Sequence, residues 1–129
     1  MPRPPSDQPT DGELEILRIL WSTGPAELGQ IRAALLEHRE VALTTVATML
    51  KVMLDKGLVT RTQGARSWLW KARLSQKSAS TRMVGKILSG VFDGSASKLV
   101  AHLLEDGKLS PEELAEIRAL LQQHERRKD

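Results

Sequence analysis

Apolar residues recur every three or four positions along most of this chain, and one stretch breaks that rhythm. Leu14, Leu17 and Trp21, with Ile16 and Leu20 beside them, give a first helix a broad apolar face. Thr10-Asp11-Gly12-Glu13 precedes it with capping-box spacing, and Gly24-Pro25 ends it. Leu28, Ile31 and Leu35 line one side of a second helix from Glu27 to Leu36, weakly capped because Ala26 has no side-chain acceptor. From Ala42 to Gly57 the same spacing predicts a third helix. Val46, Leu50 and Met53 or Leu54 form its buried stripe, while Thr44, Thr45, Thr48 and Lys51 project from another side.

After Gly57, a residue suited to a left-handed helix end, the period changes to two. Leu58 to Gln63 and Ser67 to Ala72 are β-prone runs joined by Gly64-Ala65-Arg66, a connection of hairpin length. Trp68, Trp70 and Ala72 share a face expected to cover the helices, and core packing is the preferred reading of both tryptophans over base stacking. Arg61, Gln63, Arg66 and Lys71 are expected near the tip or on the outer side.

Helical spacing returns after Ser75. Met83, Val84, Ile87, Leu88 and Val91 suit a fourth helix, Leu99, Val100, Leu103 and Leu104 a fifth, and Leu114, Ile117, Leu120 and Leu121 a sixth begun by Ser110-Pro111-Glu112-Glu113. Three helices of this size are near the limit for an independent core, so their stripes need a partner. The expected partner is a second copy, with Met83, Ile87, Leu88, Val91, Leu99, Leu103, Leu114, Ile117 and Leu121 at the dimer interface. The alternative is that these helices fold back on the first three. The expected architecture is therefore mainly α with a small β-hairpin wing: a flexible proline-rich arm over 1–9, a winged helix-turn-helix over 10–74 and a three-helix dimerisation region over 75–129.

A chain of 129 residues with 40% apolar content suits one domain or two small ones. It has no apolar run long enough to span a bilayer and no signal-peptide core at its start, so the expectation is no membrane insertion and a cytoplasmic location. Absence of cysteine excludes disulfides, zinc-thiolate sites and thiol catalysis. His38, His102 and His124 are far apart, no glycine-rich phosphate loop follows a strand, and no serine sits in a nucleophile elbow. These features point away from an enzyme, and no metal or cofactor is expected.

Net charge is +3, but it is unevenly placed. Arg39, Lys51, Lys56, Arg61, Arg66, Lys71 and Arg73 face only Glu40 and Asp55 between positions 39 and 73. Localised cations suit phosphate contact, and threonine offers base edges both a hydroxyl and a methyl. Thr44, Thr45, Thr48 and Lys51 on the third helix, with Arg61 and Arg66 on the wing, are thus the candidate residues for binding double-stranded DNA. The competing reading is a winged-helix protein-interaction module, whose third helix should expose apolar or acidic residues instead.

Glu13-Leu14-Glu15-Ile16-Leu17 with Leu20-Trp21, Thr44-Thr45-Val46 with Thr48, Lys56-Gly57-Leu58-Val59, the Gly64-Ala65-Arg66 turn with Trp68 and Trp70, and Leu109-Ser110-Pro111-Glu112-Glu113 occur in one order. In that order and spacing the chain resembles the penicillinase-repressor (BlaI/MecI/CopY) family of bacterial winged-helix regulators, from Thr10 to Gln123. The resemblance implies a homodimer that binds a twofold-symmetric operator and represses transcription, as in regulation of β-lactam resistance. It places Thr44, Thr45, Thr48 and Lys51 on the reading helix and Arg66 on the wing.

Three features depart from the family pattern. Val52 stands where members often carry an arginine, and the cysteine motif of copper-responsive relatives is missing. The resemblance also implies a membrane sensor protease as partner, with cleavage in the second C-terminal helix at an Asn-Phe bond. The aligned pair here, His102-Leu103, is the candidate proteolytic site but does not preserve that sequence.

Overall fold

In a computed structural model, which describes residues 8–128, the order is α1 (Asp11–Thr23), β1 (Ala26–Glu27), α2 (Leu28–Leu35), α3 (Leu43–Lys56), β2 (Val59–Gln63), β3 (Trp68–Ala72), α4 (Gln76–Val91), α5 (Ala96–Glu105) and α6 (Pro111–Lys128). Apart from Gln8 and Pro9, the expected arm lies outside the described residues.

Local chemistry sets most helix ends. The Thr10 amide donates to Glu13 Oε1 at 2.9 Å and the Glu13 amide donates to Thr10 Oγ1 at 3.2 Å, which closes the capping box. At the end of α3, Gly57 has φ 78°. Its amide donates to the Leu54 carbonyl at 3.1 Å and the next amide, Leu58, to Met53 at 2.9 Å, the paired bonds of a Schellman motif. Leu58 is thereby turned into the core, where it is 2% exposed.

The antiparallel sheet runs β1-β3-β2. β1 is an element the sequence pattern does not predict. Ala26 and Glu27 are extended because they pair with Trp70 and Leu69 of β3. Glu27, not Ala26, then precedes the first turn of α2, and its amide donates to Gln30 Oε1 at 2.8 Å. This supplies a capping contact that Ala26 does not offer.

The chain divides into two compact units, the first ending at Met83 and the second beginning at Val84. In the first, Ile16, Leu17, Ile31, Leu35, Val46, Leu50 and Met53 are fully buried against Leu58, Val59 and Trp70. Leu14 is only half-buried, so the core edge of α1 is carried by Ile16, Leu17 and Leu20. Ala79, in the first turns of α4, also belongs to this core. The second unit contains no buried residue among those described.

Candidate nucleic-acid interface

On α3 the buried stripe and the polar side are cleanly separated. Val46, Leu50 and Met53 have no exposure at all, while Thr44, Thr45, Thr48 and Lys51 are all exposed. Thr48 donates its hydroxyl hydrogen to the Thr44 carbonyl at 3.0 Å, so its oxygen lone pairs and methyl remain for an outside partner. Thr44 and Thr45 lie in the first turn, where the helix dipole favours anions. Leu43 and Val52 are also exposed, at 46% and 42%. Leu43 continues the buried stripe one turn toward the start of the helix, where nothing covers it, and Val52 adds an apolar group to the open side; neither is a sequence candidate, since Leu43 reads as part of the stripe and a single apolar residue off it gives no periodic signal.

The axial position of α3 is held from α1. Lys56 Nζ donates to Glu13 Oε1 at 2.7 Å, and both side chains are less than a tenth exposed. Burial alone would push the Glu13 carboxyl up, but the Lys56 and Thr10 hydrogen bonds and the Lys56 charge hold it below its ordinary value. Arg32 Nε donates to the Val41 carbonyl at 3.1 Å, which steadies the approach to the helix.

Not all the clustered cations are free. Lys56 is neutralised by Glu13, and Arg39 pairs with Glu15 at 3.3 Å. Among the described residues Lys51, Arg66, Lys71 and Arg73 have no carboxylate partner.

The wing differs from the expected hairpin by one residue. A three-residue connection would pair Gln63 with Ser67 and set Arg61 opposite Leu69. Instead Gly64 to Ser67 form the turn, and the register is Gln63 with Trp68 and Arg61 with Trp70. A slip of one residue changes the face of every partner. Arg61 therefore lies on the tryptophan face, not the outer one, with its guanidinium carbon 4.3 Å from the Trp68 ring centre and 5.6 Å from that of Trp70. Trp70 is core, as expected, whereas Trp68 remains 43% exposed. Trp68 stands at the turn end of the strand, paired with Gln63, and is not part of the buried core.

Glu27 ties the turn to the base of α2. Its Oε2 accepts the Ser67 hydroxyl at 3.2 Å, and its Oε1 lies 3.4 Å from the Arg66 amide. Gly64 is required by this closeness, since a Cβ there would meet the Ser67 carbonyl oxygen at 2.5 Å and Glu27 Oε1 at 2.9 Å. The Arg66 side chain is exposed at the tip. A contact between positions 27 and 67 leaves no trace in local spacing, which is why Glu27 was not a sequence candidate.

The expected dimerisation residues fall into two sets. Ile87, Val91, Leu103 and Leu121 are exposed, and Met83, Leu88, Leu99, Leu114 and Ile117 are half-buried. His102 and Leu103 sit inside α5, where the His102 carbonyl accepts the Asp106 amide at 3.0 Å and the His102 ring lies 5.7 Å from Phe92. Among the described residues no three His, Asp or Glu side chains converge as a metal site, and no helix is long and apolar enough to cross a membrane.

The family model described as penicillinase repressor matches residues 9–123. The penicillinase repressor of Bacillus licheniformis is 23% identical over 121 residues, covering 94% of each chain. The methicillin resistance regulatory protein MecI of Mammaliicoccus sciuri is 20% identical over 112 residues, 87% of this chain and 91% of its own. Among solved structures, the reduced form of MarR from E. coli superposes with a TM-score of 0.50 at 21% identity, over 88% of this chain and 76% of that one, a likeness of fold.

Proposed function

Since the chain belongs to the penicillinase repressor family, we propose that it is a DNA-binding transcriptional repressor that acts as a homodimer on a twofold-symmetric operator. The observation that carries this reading is the division of α3 into a fully buried stripe and an exposed side of Thr44, Thr45, Thr48 and Lys51. Small hydroxyl side chains let a helix approach a groove floor, and Lys51 is engaged in no ion pair among the described residues. The wing supplies Arg66 at its tip, and Arg61 beside it, for backbone phosphate. Residues 10–74 are the reading part and 75–129 the dimerisation part. The absence of any buried residue after Met83, among those described, supports a requirement for a second copy. Twofold pairing of two reading helices then asks for an inverted repeat.

Such a repressor works in the cytoplasm, where it meets the chromosome. Relief by a membrane sensor protease at His102-Leu103 requires α5 to unwind there, because the carbonyl of that bond is held in a helical hydrogen bond. A titration of double-stranded DNA against increasing salt tests the reading. Binding that falls steeply with salt is the expected result. No DNA binding at low salt by the folded protein favours a protein-interaction module.

A further inference from the structure

Of the three tryptophans only Trp68 is exposed, and its ring is not bare. The Arg61 guanidinium lies over it at 4.3 Å, and no carboxylate neutralises that arginine among the described residues. The two side chains occupy neighbouring register positions on one face of the wing, next to the turn that bears Arg66. An indole face attracts a guanidinium through its quadrupole without quenching its charge, and leaves the N–H edge open. A long side chain already held in place loses less freedom when it meets an anion. The ring face turned to Arg61 is occupied, so it is not available for stacking on a base. A guanidinium with no carboxylate partner among the described residues, beside the turn that bears exposed Arg66, is placed to meet the DNA backbone.

The geometry points to Trp68 as a further determinant of DNA binding: a positioning residue that holds the Arg61 guanidinium ready for a backbone phosphate. This rests on the DNA-binding reading of the wing. Because phosphate contact does not depend on sequence, sonicated double-stranded DNA is a sufficient probe. Trp68→Leu keeps apolar bulk without a π face, and should weaken binding about two- to five-fold, while Trp68→Phe keeps most of the affinity. Arg61→Gln leaves the ring in place and should lose at least as much, flattening the log-affinity against log-salt line by about 0.9. In the Arg61→Gln background, Trp68→Leu should have no further effect, since the ring acts through the arginine.

Three results would overturn the proposal: parental binding by Trp68→Leu, parental binding by Arg61→Gln, or an equal loss from Trp68→Leu with and without Arg61. If the parent binds normally and any of these is found, only this inference fails. If the folded parent binds no double-stranded DNA at low salt, the DNA-binding reading fails with it.

Discussion

Glu13 in the first turn of α1 and Lys56 in the last turn of α3 meet at 2.7 Å, out of solvent, 43 residues apart in sequence. The contact fixes how far α3 stands along α1, and so where its exposed threonines are presented. A buried ion pair adds little beyond apolar packing, but removing one partner strands the other charge. Lys56→Met should therefore destabilise the fold by about 3 kcal/mol. Adding Glu13→Gln, which can still accept from the Thr10 amide, should recover part of that loss in urea unfolding.

The same carboxylate predicts a pH dependence. Its pKa in the folded chain lies below the ordinary 4.5, so its contribution is complete above that value. The contribution disappears as pH falls through the folded-state value. Between about pH 6 and pH 3 the melting temperature of the parent should drop more than that of Glu13→Gln. Parallel melting curves for the two would show that the ion pair is not linked to stability.

Trp21 donates its indole N–H to the Leu74 carbonyl at 2.8 Å, tying α1 to the residues that leave β3. Trp21→Phe keeps the ring and deletes the donor. It should cost about 1 kcal/mol in chemical unfolding, with DNA affinity at saturating folded protein unchanged.

Lys51 is exposed on the polar side of α3. Lys51→Ala should leave the melting temperature within a degree or two and flatten the salt dependence of DNA affinity by about 0.9. An unchanged slope would move the phosphate contacts off this helix.

Ile117 lies half-buried on α6, with exposed Leu120 and Leu121 close by in sequence. Ile117→Asp places a charge where the second copy should pack. Sedimentation should show a monomer, and operator affinity should fall roughly a hundred-fold through lost bivalency. A variant that stays dimeric would place the interface on another face.

How much of this was legible in the sequence follows from how local each cause is. The α3 stripe, the Thr10–Glu13 capping box and the Gly57 stop depend on residues a few positions apart, and the structure has all three. β1 depends on Trp70 and Leu69, more than 40 residues away, and two residues carry no period of their own. Trp68 and Trp70 were correctly given one face by alternation, but alternation does not say how far a hairpin reaches past its core. Arg61 is expected near the tip or on the outer side, and a three-residue turn would set it opposite Leu69; the turn is one residue longer, and that single residue decides the face. Of the candidate DNA-binding residues, Thr44, Thr45, Thr48, Lys51 and Arg66 are exposed, and Arg61 is half-buried against the rings.

The central claim is that two copies of α3 read an inverted repeat. The most direct measurement is capture of fragmented genomic DNA by the purified chain near physiological salt, followed by sequencing. The account predicts enrichment of one short inverted repeat overlapping a promoter, with half-sites about one helical turn apart or a multiple of it. Failure to enrich any sequence, by protein that is folded and dimeric, would contradict it.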